Sequence, residues 1–336
     1  MKKGFLTNIV YSNGLWIAGL LLLLLSVIGN IVYFGVETKN VLIPAFSGLY
    51  GQDILGFQLD QLFRNTLVGY IFRFLMLLGS AIILQNISSD YRLIRVRSFF
   101  PFFLFCVFSA TILPAIPLDG SSISCLLLCW SFFRLFAVEE NGSANRAVFD
   151  AMVLLAIASL FHCRLLFLLP VFWMVMGVLQ IFSFKSFLAS IIGFLSVFWI
   201  IGGVSFLLED YTFLLNYVNE LVAFDLVDFN SFSTAEIAYI SFVGILMISA
   251  MVSFWPRQNL DKLRTRNYLN SILLLWFSFL VLWLFSGNDM GILLMLFCLS
   301  SLMAAHFFSL MDTRYSRALF VLFILLSIFV YFLIGR

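Results

Sequence analysis

Charge is what this sequence has least of. Only 11% of its 336 residues are Asp, Glu, Lys or Arg, against roughly a quarter in an ordinary soluble domain. Hydrophobic residues make up 63%, and a soluble fold could not cover that much apolar side chain with so little polar surface. Lipid as the solvent removes the difficulty, because an outward-facing Leu or Phe then needs no cover. Histidine is nearly missing: His162 and His306 are the two. That excludes a metal centre built on several imidazoles, and with it oxygenase chemistry on such a centre. No Gly-rich phosphate loop of the Walker type occurs, which excludes that class of ATPase. Lys and Arg never run together among aromatics and the net charge is +2, so nucleic acid is not an expected partner.

Cysteine is sparse as well. Cys106, Cys125, Cys129 and Cys298 lie inside apolar runs and Cys163 at a helix end. Cys125 and Cys129 are four apart and share a helix face, but a metal would need a second pair, which the sequence does not offer. They are expected to pack as small hydrophobes. No metal and no cofactor is expected.

What the chain has is apolar runs. They predict eleven transmembrane helices, near 15–34, 67–87, 99–116, 122–138, 147–161, 165–182, 187–208, 237–254, 270–285, 290–308 and 318–334. The first run has about the 20 residues needed to span and no small-x-small cleavage site follows it, so it reads as a span and not a signal peptide. The fold class is therefore an all-α polytopic bundle, one transmembrane domain over 1–336. Placing Lys2 and Lys3 in the cytoplasm and alternating puts fourteen of the 19 basic residues inside, as the positive-inside rule asks. The segment 209–236 carries six acidic residues and no Lys or Arg, and the same parity puts it outside. The N-terminus is then in and the C-terminus out. His162-Cys163-Arg164 interrupts 147–182, which reads as two thin spans or a re-entrant hairpin. Nine spans plus such a re-entrant pair is the alternative architecture. A single long span there would reverse everything downstream and is rejected on charge.

Interfacial outer segments are expected near 35–66 and 209–236. In 52–64, Leu55, Leu59, Leu62 and Phe63 recur at helical spacing. In 211–224, Leu214, Leu215, Val218, Leu221 and Val222 do so. Both predict short helices lying in the membrane interface.

None of the predicted spans carries a carboxylate near its middle, which disfavours ion-coupled transport. The candidate substrate-binding residues are Arg73, Asp119, His162 and Arg164, all on the outer side in this topology. Arg73 enters the second span by about a turn and a half, where a snorkelling side chain is the plain alternative. His162 and Arg164 cap the turn between spans five and six, and an ordinary basic turn is the plain alternative there. Asp119 ends the Pro114–Asp119 break. His306, among Ala and Phe, is expected to be a buried hydrogen-bonding residue.

Ile157–Phe161, Leu165–Trp173 and Phe184–Gly193, with Phe149-Asp150 and Ser98–Pro101 ahead of them, resemble a family of polytopic inner-membrane proteins of unknown function found mainly in Bacteroidota. The resemblance implies a multi-pass cell inner membrane protein of the envelope and supplies no functional residue. A carotenoid-oxygenase label borne by some relatives does not suit a chain with two histidines.

The expected function is handling of a lipid-linked or amphipathic cell-envelope substrate, by transport, flipping or transfer. The alternative is a non-catalytic membrane subunit of an envelope complex. Expected partners are membrane lipid, an anionic or lipid-linked substrate at the outer face, and membrane-complex subunits. The topology has a direct check. A cysteine placed at position 225 should react with an impermeant reagent from outside, and one at 264 should not; the reverse labelling overturns it.

Overall fold

The computed structural model describes residues 5–10, 12, 14–34, 66–94, 98–113, 120–137, 144–209, 211–257, 262–310 and 313–334. The expected helix in 52–64, and Asp119 with the Pro114–Asp119 break, lie outside the described residues. The architecture is all-α, with no strand among the described residues. In chain order the helices are α1 (Phe5–Val10), α2 (Leu15–Phe34), α3 (Thr66–Asp90), α4 (Phe100–Ile112), α5 (Ser121–Phe136), α6 (Ala144–Phe161), α7 (Leu169–Val178), α8 (Phe184–Leu207), α9 (Thr212–Val222), α10 (Thr234–Phe254), α11 (Leu263–Leu284), α12 (Met290–Leu310) and α13 (Arg314–Ile334). Each of the eleven expected spans falls on one of them.

Eight of these helices are long and apolar enough to cross a membrane, and the protein is a multi-pass membrane protein. Three are shorter: Phe100–Ile112, Ser121–Phe136 and Cys163–Val178. Their shortness has local causes. α4 starts with Pro101 in its first turn, where the missing N–H costs nothing, and all thirteen of its residues are buried. A helix enclosed by protein need not match the bilayer thickness. The third begins as a 3-10 helix, Cys163–Leu168, before α7. Six residues at the steeper 3-10 rise and ten at the α rise reach about 27 Å, close to the ~30 Å hydrocarbon core. Extended backbone at His162, with φ −147 and ψ 92, separates α6 from this segment and turns the chain back. The single-span version of 147–182 is thereby excluded.

The core sits on α12. All eighteen residues from Gly291 to Phe308 are buried, as expected for a helix that is hydrophobic all round. α8 is its opposite, facing outward along most of its length, with Trp199 at 84% exposure. Contacts set the directions. Gly19 meets Phe102 and Phe103, Ser26 Oγ donates to the Ala110 carbonyl at 2.9 Å, and Tyr331 Oη donates to the Ser26 carbonyl at 3.2 Å, so α2, α4 and α13 run parallel. Gly79 faces Leu126 and Tyr91 Oη donates to the Phe133 carbonyl at 3.1 Å, so α3 runs parallel to α5. Gly291 faces Ser121 and Cys298 meets Cys129, so α12 does too. α6 opposes them: Gly120 meets Phe161, whereas Ser131 Oγ donates to the Ala151 carbonyl at 2.7 Å.

The expected interfacial helix in 211–224 exists as α9, with Phe213 and Tyr217 buried against the protein and Leu215, Val218 and Val222 turned outward. Glu236 closes a capping box with Ser233 at the start of α10, in hydrogen bonds that lie exposed. His306 is buried as expected, its Nδ1 2.8 Å from the Leu93 carbonyl oxygen.

Packing of α8 on α6 depends on one glycine. A Cβ at Gly193 would lie 2.8 Å from the Phe149 carbonyl oxygen and 3.3 Å from its Cα, neither of which moves without shifting α6. At Gly202 and Gly203, on the same helix, a Cβ meets nothing within 4 Å. Gly193→Val should therefore cost about 1–3 kcal/mol and lower Tm in detergent, whereas Gly202→Ala and Gly203→Ala should leave it unchanged or raise it. Equal effects at the three positions would contradict the close approach.

Candidate functional site

Parallel and antiparallel packing bring several helix ends together. The starts of α3, α5 and α12 meet the ends of α6 and α11, with α9 and the segment 223–228 across them. A single carboxylate ties them. Asp289 precedes α12, and its Oδ1 accepts from the backbone N–H of Gly291 at 2.9 Å and of Ile292 at 3.3 Å. This is the capping role that an Asp ahead of a helix performs, and it favours a negative charge at the positive end of the helix dipole. The other oxygen faces one cationic side chain, Arg164, and the imidazole of His162. His162 Nε2 lies 3.0 Å from Asp289 Oδ2 and Arg164 Nη1 3.3 Å from it.

Arg164 extends the tie. Its Nη1 donates to the Ser286 carbonyl and its Nη2 lies 3.5 Å from the Ala223 carbonyl oxygen. The chain between α9 and α10 runs beside the turn between α11 and α12. The Gly287 N–H donates to the Asp225 carbonyl at 2.6 Å, the Val227 N–H to the Leu284 carbonyl at 3.2 Å, and Asn288 Oδ1 accepts from the Asp228 N–H at 3.1 Å. Gly287, at φ +65, makes this turn, in a region that Gly occupies without strain.

Of the sequence-predicted residues, His162 and Arg164 are brought together, through Asp289. Arg73 is buried on the second turn of α3, one turn from Tyr70, whose phenol feels its charge. Because Gly79 faces Leu126 in the parallel α3–α5 pair, six residues back from Gly79 lies the level of Gly120, where α5 begins against Phe161. Arg73 therefore shares a level with the His162 turn. Asp119, ahead of Gly120 in the chain, is outside the described residues. Asp289 was missed by the sequence reading, although Gly287-Asn288-Asp289 before an apolar run is a helix-start signal.

Burial pushes the Asp289 carboxyl up. The charge of His162 and its hydrogen bond, then the charge of Arg164 and the Ile292 N–H, outweigh that and hold it below its ordinary value of 3.8. The same end also keeps buried polar atoms with no acceptor or donor among the described residues: Arg164 Nε, Ser122 Oγ on the first turn of α5 and Trp283 Nε1 on the last turn of α11. Phe229 and Phe232 pack on the Trp283 ring and bring α10's lead-in segment to the same place.

The chain belongs to the family of unknown function DUF6427, whose model matches residues 18–336. No curated protein and no solved structure matches it.

The lowered carboxyl gives a pH dependence with a definite sign. A carboxyl that holds its proton less tightly folded than unfolded stabilises the fold above the unfolded value, and the contribution fades as pH falls through the folded one. Removing one partner of a largely buried pair costs about 3–5 kcal/mol. Asp289→Asn should therefore unfold well below the parent at about pH 7, and the gap should close on acidification toward about pH 3. A gap that stays constant between those pH values would contradict the assignment.

Proposed function

We propose that this DUF6427 protein is a multi-pass protein of the cell inner membrane with eleven crossings, its N-terminus in the cytoplasm. At the outer end of the bundle it binds the anionic headgroup of a lipid-linked or amphipathic envelope substrate, as a transporter, flippase or transferase. The observation that supports the reading is a set of buried donors at the Asp289 end that find no acceptor among the described residues. A buried N–H or O–H left unpaired costs about 1–3 kcal/mol, and native structures rarely keep several in one place. Arg164 Nε, Trp283 Nε1 and Ser122 Oγ together suit an oxygen-rich group such as a phosphate or carboxylate, for which Arg is the residue of choice.

Arg164 is the principal headgroup ligand, with Arg73 adding positive charge at the same level, His162 offering a ring nitrogen and Asp289 balancing the charge; Asp119 remains the candidate that lies outside the described residues. The outward apolar face of α9, Leu215, Val218 and Val222, lies beside this cluster and suits the acyl or prenyl portion of such a molecule in the interface. A second reading, a non-catalytic subunit of an envelope complex, draws on the way Asp289 already pairs with His162 and Arg164. It treats the cluster as a clamp.

Dodecyl phosphate, titrated into the protein in a neutral maltoside detergent and read by native mass spectrometry, separates the two. In the binding reading Arg164→Ala weakens the complex at least about tenfold, the loss of one charge-assisted contact. Arg164→Lys retains part of it, and Arg134→Ala at the opposite end leaves it unchanged. Asp289→Asn, which removes the competing carboxylate, tightens it. Binding of dodecanol equal to that of the phosphate, or indifference to Arg164→Ala, overturns the reading in favour of the clamp.

A further inference from the structure

Three of the five cysteines meet in the middle of the bundle. Cys125 and Cys129 lie one turn apart on α5, and Cys298, on the parallel helix α12, packs against them. The three Sγ atoms all lie within 4.8 Å of one another, with Cys129 Sγ and Cys298 Sγ 2.9 Å apart. All three side chains are fully buried. Cys298 is nine residues into the chain from Asp289, about 13 Å along the helix, so the cluster is separate from the headgroup site and near mid-bundle.

We propose that Cys125, Cys129 and Cys298 form a site for a soft monovalent metal ion, copper(I) being the natural occupant. Thiolate sulfur is a soft ligand and favours copper(I), with zinc and iron–sulfur clusters as the other occupants of such sites. Metal–sulfur bonds of about 2.3 Å place three sulfurs around a central ion about 4 Å from one another. The cluster is within reach of that after Cys129 and Cys298 part by about 1 Å, a side-chain adjustment and not a helix movement.

Coordination number decides which ion. Thiolates are the metal-binding form of cysteine, and copper(I) suits an all-sulfur set. Each Cu–thiolate bond that forms replaces an S–H bond whose proton leaves to solvent, and no oxidation state changes. Zinc fits poorly. Its structural sites are four-coordinate, and among the described residues only three ligating side chains meet here. Simple packing of small hydrophobes, the reading that the Cys125–Cys129 spacing invites, needs no third sulfur at this point.

The test uses the full-length protein, purified in neutral detergent under reductant and titrated with copper(I) against a chromophoric copper(I) chelator. The proposal expects one copper(I) retained per chain and a coordination shell of three sulfurs by X-ray absorption. Cys125→Ala, Cys129→Ala and Cys298→Ala each lose the retained ion, whereas Cys106→Ala and Cys163→Ala keep it. Because a core variant could lose the ion by misfolding, a second readout uses the unmodified chain. Copper(I) should slow alkylation of Cys125, Cys129 and Cys298 by N-ethylmaleimide, mapped peptide by peptide, and leave the rate at Cys163 unchanged. The proposal is overturned by no retained ion, by retention that follows Cys106 or Cys163, by a shell with fewer than three sulfurs, or by a Cys129–Cys298 disulfide in place of the metal.

Discussion

The Asp289 carboxylate is the interaction on which this end of the molecule depends. One of its oxygens caps α12, the helix around which the core is built, and the other binds His162 and Arg164. Both roles demand a negative charge. Helix α12 is enclosed on all sides, so its first N–H groups have little water to turn to, and an uncapped start would leave them unsatisfied. The Arg164 guanidinium in turn could not remain buried without an anion. Each half of the arrangement thus makes the other affordable, and the lowered proton affinity of the carboxyl is the sum of the two.

From that point order spreads through hydrogen bonds that are individually modest. Arg164 fastens the 3-10 segment that follows α6 to the turn after α11 and to the end of α9. The backbone pairing of 225–227 with 284–287 then holds the lead-in to α10. The opposite end of the bundle is held differently. There the aromatic rings of Tyr91, Phe133, Phe136 and Tyr268 pack on each other and Arg134 pairs with Asp150, one-third exposed on each side. An exposed pair of that kind contributes little, so packing carries that end and electrostatics the other. Buried donors with no acceptor among the described residues lie where electrostatics dominates, which is where the proposed headgroup would sit.

Much of the fold was legible because apolar run length is a strong signal. Each of the eleven runs falls on a helix, and the polar break at His162-Cys163-Arg164 falls at a true end of helix. Three segments are shorter than the other spans. α4 is short because protein and not lipid surrounds it, and the segment after His162 gains reach from 3-10 geometry, neither of which a hydropathy window registers. At the candidate site, His162 and Arg164 were legible as charges in an apolar context. Asp289 was not, since it reads as an ordinary turn residue until α12 is known to be the core. Cys298 could not have been matched to Cys129 at all, because 169 residues separate them and only the packing of α5 on α12 joins them.

If Asp289 organises its end of the bundle, loss of its charge must loosen segments far apart in the chain and spare the rest. Hydrogen–deuterium exchange on the parent and on Asp289→Asn measures this. The account predicts faster exchange in 162–168, in 223–228 and in 284–292 together, with no change around Leu93 and His306 at the opposite end. Faster exchange confined to 289–292, with the other two segments as protected as in the parent, would contradict it.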